Sequence, residues 1–96
     1  MSKALLERRL VELSGRIKVL ARELAVAEEQ CQVLAEQADE ARLRSLVSET
    51  PIAEREHREA ARHADAMARH RDEVRQAISD LERTQDELLD RLFGGS

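Results

Sequence analysis

The stretch LERRLVELSGRIKVLARELAVAEEQCQVLAEQADEARLRS, residues 6–45, decides the fold. Its seam positions are Leu6, Leu10, Leu13, Ile17, Leu20, Leu24, Ala27, Cys31, Leu34, Ala38, Ala41 and Ser45, reached by steps of four and three in strict alternation. That alternation is the a/d seam of a coiled coil: a stripe recurring about every 3.5 residues stays against a neighbouring helix. The neighbour is residues 53–92, AEREHREAARHADAMARHRDEVRQAISDLERTQDELLDRL. There the same step selects Ala53, His57, Ala60, Ala64, Met67, Arg71, Val74, Ile78, Leu81, Gln85, Leu88 and Leu92.

The two seams fit each other when the chain folds back on itself, so that a positions of one helix lie beside d positions of the other. Leu6 then meets Leu92, Leu10 meets Leu88, Leu20 meets Ile78, Leu24 meets Val74 and Cys31 meets Met67. Awkward side chains find small partners in this register, Arg71 beside Ala27 and His57 beside Ala41, whereas Leu13 beside Gln85 lacks such compensation. A single register that satisfies both stretches and their turn predicts an all-α fold, an antiparallel two-helix coiled-coil hairpin. Residues 1–96 are expected to form one such hairpin: helix 1 over about 3–47, a turn at 48–50, helix 2 over about 51–93 and a flexible tail at 94–96.

Local signals place the boundaries. Ser2 is suited to cap the first helix. Gly15 is its weak point, costing about 1 kcal/mol relative to alanine, but it sits on the outward face. In Ser48-Glu49-Thr50-Pro51, Thr50 is a good cap and Pro51 suits the first helical position, where a missing N–H costs nothing. Proline also drives the preceding residue out of helical geometry, which predicts a tight turn. Gly94-Gly95 ends the second helix.

Composition agrees. The chain is 42% apolar and 38% charged with Phe93 as its one aromatic, which suits long helices better than a mixed globular core. Small single cores supply only about 3–5 kcal/mol, so self-association into a four-helix bundle is expected. The net charge of −4 argues against phosphate-driven nucleic-acid binding. Salt-sensitive binding through Arg8, Arg9, Arg16, Lys18 and Arg22 would be the contrary reading. The basic segment from Lys3 to Arg22 lies, in the hairpin register, beside the acidic segment from Asp80 to Asp90, which predicts intramolecular charge complementarity. No apolar run spans a bilayer or forms a signal peptide, and Cys31 has no second cysteine to pair with, so a cytoplasmic protein with a packed thiol is expected.

Two surfaces lie off the seam. Leu5, Val19, Val26, Val33 and Val47 fall on one outward heptad position and form a ridge that needs cover. Ala21, Ala35, Ala61 and Ala68 give a smooth flank that another helix can approach. At the tip, Leu43, Leu46, Val47 and Ile52 surround Glu49 above a seam made of alanine and serine, the reverse of what stability alone favours. Arg42 with Glu54 and Arg44 with Glu56 are candidate ion pairs that would stiffen it. Within the seam, Arg71 and Gln85 read as devices that set register and partner choice.

The chemical motifs are sparse. Glu54 and His57 form an E-x-x-H spacing, which a homodimer would double. That arrangement resembles minimal ferritin-like hairpins, and the resemblance implies a metal-binding protein as the alternative function. His63 and His70 lie two turns apart, too far for one ion, and read as seam-flanking residues that would tune association by titration. No catalytic constellation and no Gly-rich phosphate loop is present. The expectation is a non-catalytic interaction or scaffolding module without cofactor, a homodimer docking on a larger protein through its tip or its valine ridge.

Overall fold

A computed structural model describes residues 2–94 of the chain. It contains two helices, α1 (Lys3–Ser48) and α2 (Pro51–Phe93), linked by Glu49 and Thr50. The described residues include no strand. The fold is the all-α helical hairpin that the two heptad stretches predict.

Each helix end is closed by a hydrogen bond from a nameable residue. Ser2 Oγ accepts from the Leu5 N–H at 3.2 Å, and the Ser2 carbonyl accepts the first helical bond from Leu6 at 3.0 Å. Thr50 repeats the arrangement for α2, its Oγ1 accepting from the Ala53 N–H at 3.2 Å and its carbonyl from Glu54 at 3.1 Å. Both side chains satisfy an amide that the first helical turn leaves without a partner. α1 stops at Glu49, which has a φ of 51° and donates its N–H to the Ser45 carbonyl at 3.1 Å. This left-handed closure is usually the work of glycine or asparagine. Ser45 Oγ donates to the Arg42 carbonyl at 2.8 Å, so the polar seam residue next to the turn is satisfied by its own helix. At the other end the Gly94 N–H donates to the Asp90 carbonyl at 2.6 Å, while Gly95 and Ser96 of the expected tail lie outside the described residues.

Every seam residue of both stretches is buried or half-buried. Outside the seam, the described residues with reduced exposure are Ser14, Ala61, Ala68, Ala77 and Thr84, all small and all on the positions that flank it. The chain divides into two compact units, Met1–Leu24 with Val74–Ser96, and Ala25–Glu73. The division follows the seam's chemistry. In the first unit the seam is built mainly from leucine and isoleucine, with Leu6, Val74 and Leu88 buried. In the second it is built largely from alanine, with Ala27, Ala41 and Ala53 buried. Interaxial distance depends on the side chains at the contact, so the two kinds of seam ask for different helix spacings. The deepest core positions of the second unit are therefore alanines, and little apolar volume is sequestered there.

Candidate interaction surfaces

The tip belongs to the second unit. Leu43, Leu46, Val47 and Ile52 are between 61% and 85% exposed, while Ala41 and Ala53 beneath them are nearly inaccessible. The apolar distribution is inverted, with methyl groups inside and branched side chains outside. A two-residue link, bounded by the Glu49 closure on one side and the Thr50 cap on the other, fixes the path of the chain between these residues. The expected ion pairs of Arg42 with Glu54 and Arg44 with Glu56 are not formed among the described residues. All four side chains are exposed, and exposed pairs contribute only about 0–1 kcal/mol, too little to order long side chains. The tip is held by backbone closure and capping instead.

The valine ridge is also exposed. Leu5, Val19, Val26 and Val33 retain 42% to 54% of their surface, as the outward heptad position requires. Two positions in the same row carry charge, Glu12 and Glu40, so the uninterrupted apolar part is Val19, Val26 and Val33. In the first unit a shallow groove runs beside Val19, lined by Glu12, Gly15, Arg16 and Leu20. A methyl group added at Gly15 would meet open space. In the second unit a similar groove runs beside Val33, lined by Glu29, Gln30, Leu34 and Met67.

Arg71 stays half-buried in the seam and turns its polar end to a neighbour. Its Nε–H donates to Asp72 Oδ1 at 3.0 Å, and its Nη2 lies 3.0 Å from the same oxygen. Donation to that carboxylate raises the guanidinium pKa above its ordinary value. Partial desolvation acts in the opposite direction, and the charge of Asp72 with the proximity of Cys31 and Glu28 adds to the rise. Gln85 is half-buried, and no buried side-chain nitrogen or oxygen among the described residues lacks a partner. Both polar seam residues thus keep their polar ends satisfied or in water.

The predicted charge complementarity takes a different form. Among the described residues, none of Lys3, Arg8, Arg9, Arg16, Lys18 and Arg22 makes an ion pair. Asp80 is engaged within its own helix, accepting from Gln76 Nε2 at 2.9 Å and lying 3.7 Å from Arg83 Nη1. Register explains this. Asp80, Asp86, Glu87 and Asp90 occupy outward positions, and Glu82, on the seam flank, stands level with Ser14 rather than with a cation. The cationic side chains of α1 are left facing outward.

Glu54 is exposed and His57 is half-buried. Three or more side chains that could hold a metal ion are not grouped anywhere among the described residues. His63 and His70 are exposed, and Cys31 is a half-buried free thiol. No helix among the described residues is long and apolar enough to cross a membrane.

Comparison with protein-family models, curated proteins and solved structures finds no match to this chain. The surfaces themselves are the basis for a functional reading. One feature had no signal in the sequence: the left-handed backbone at Glu49, which no glycine announces.

Proposed function

We propose that the hairpin is a non-catalytic interaction or scaffolding module of the cytoplasm, an adaptor. It pairs with its own copy as a four-helix homodimer and docks on a larger protein through its tip. The inverted apolar distribution of the tip carries this reading: Leu43, Leu46, Val47 and Ile52 stand in water above buried alanines. Clustered large apolar side chains outside a small-residue seam gain free energy when another surface covers them. The capped two-residue link supports it, because a pre-ordered surface loses less entropy on docking. The valine row supports self-association, since a helix with a second apolar stripe needs a second neighbour. The net charge of −4 favours a protein partner over a polyanion.

Light scattering tests the pairing. The wild type is expected to be a dimer, and a variant with Val19, Val26 and Val33 all changed to serine a helical monomer. A wild type that stays monomeric at high micromolar concentration removes self-association. For the tip, a photo-crosslinking side chain at Val47 is expected to trap one partner of defined mass in cells, with trapping lost on Ile52→Ser. Labelling no stronger than from the same group at the exposed Arg62 would sink the tip reading.

A further inference from the structure

The outward row of α1 reads nearly the same in both directions about Val26. Val19 mirrors Val33, Glu12 mirrors Glu40, and Leu5 mirrors Val47. The row lies on one uninterrupted helix, Lys3–Ser48, so its register is set by helical geometry alone. A two-fold symmetric contact requires that residue i touch residue j while j touches i. Any two antiparallel copies of one helix meet that condition, and centring the axis on Val26 is the register that sets all three valines of the row against valines.

We infer that a second copy of this chain covers the valine row by laying its own α1 antiparallel on the first, with the two-fold axis passing at Val26. The inference rests on reading the row as a self-association surface and specifies its partner and geometry. Val26 meets Val26 of the second copy, and Val19 meets its Val33. Charge supports the same direction. On one flank of the row the amino-terminal half of α1 presents Arg8 and Arg22, and the carboxyl-terminal half presents Glu29 and Glu36. All four are exposed and make no ion pair among the described residues. In the antiparallel register this flank faces itself, so Arg22 stands opposite Glu29 of the second copy. Glu12 and Glu40 face each other across copies, but each has a cation one turn away on the opposing helix, Arg44 for Glu12 and Arg8 for Glu40.

The test uses single cysteines in a full-length Cys31→Ser background, with helicity confirmed by circular dichroism. Under mild oxidation Val26→Cys is expected to link to itself as the main product. Val19→Cys and Val33→Cys alone are expected to stay unlinked, while their equimolar mixture gives the disulfide-bonded heterodimer. If light scattering shows a wild-type dimer but Val26→Cys does not link, or Val19→Cys links to itself, the antiparallel geometry is overturned while self-association stands. If the wild type is a monomer, both are overturned.

Discussion

Glu49 is the residue where backbone and side chain are in conflict. Its φ of 51° lies in the left-handed region, which disfavours a residue with a Cβ by roughly 1–2 kcal/mol and suits glycine. Part of any gain from glycine is offset by the greater freedom of the unfolded chain. Glu49→Gly is accordingly expected to stabilise the hairpin by about 0.5–1 kcal/mol, read as a raised thermal midpoint. If the carboxylate contributes to docking, the same variant binds the tip's partner more weakly although it is more stable. That opposition of stability and binding separates a functional residue from a tolerated one, and an unchanged or lowered midpoint would show that Glu49 carries no backbone strain.

At the scale of the elements, the two helices change character along their length. α1 and α2 meet through large aliphatic side chains in the first unit and largely through alanine in the second. Leu88 is 3% exposed, so its truncation removes transfer free energy and leaves a cavity. Leu88→Ala is expected to cost about 3 kcal/mol, a large share of what a small core supplies, and to lower the thermal midpoint steeply. A loss below about 1 kcal/mol would mean that the leucine seam is not the main source of stability. The capping residues act on a smaller scale. Ser2 and Thr50 each satisfy one amide, a contribution of about 1 kcal/mol that places the helix ends without deciding how the helices pack.

For the whole molecule, the question is what covers the surface that two helices cannot bury between themselves. The antiparallel pairing of α1 makes a charge-swap prediction. Arg22→Glu places like charges opposite Glu29 of the second copy at two symmetry-related points and is expected to weaken self-association about tenfold. Adding Glu29→Arg to the same chain restores the opposite-charge pairs and the affinity. Sedimentation at low and high salt reads both effects, because screening shrinks the difference between variants. Weakening by both single changes without recovery in the double variant would refute the pairing.

Much of the fold was legible in the residues. A heptad seam specifies which face of each helix is covered, and serine, threonine and proline at the helix starts specify where each begins, because both effects depend on neighbours within a turn or two along the chain. That is why seam residues as unlike as Leu6, Arg71 and Gln85 all lie where the period places them. The site was legible only in outline. The exposure of the tip and of the valine row followed from register, but the left-handed closure at Glu49 had no glycine to signal it. The choice of Asp72 by Arg71 and the unpaired cations of α1 depend on side-chain rotamers, solvation and the distance between helices. These are set by packing in three dimensions, where a charge off the seam points to water whatever the sequence places across from it.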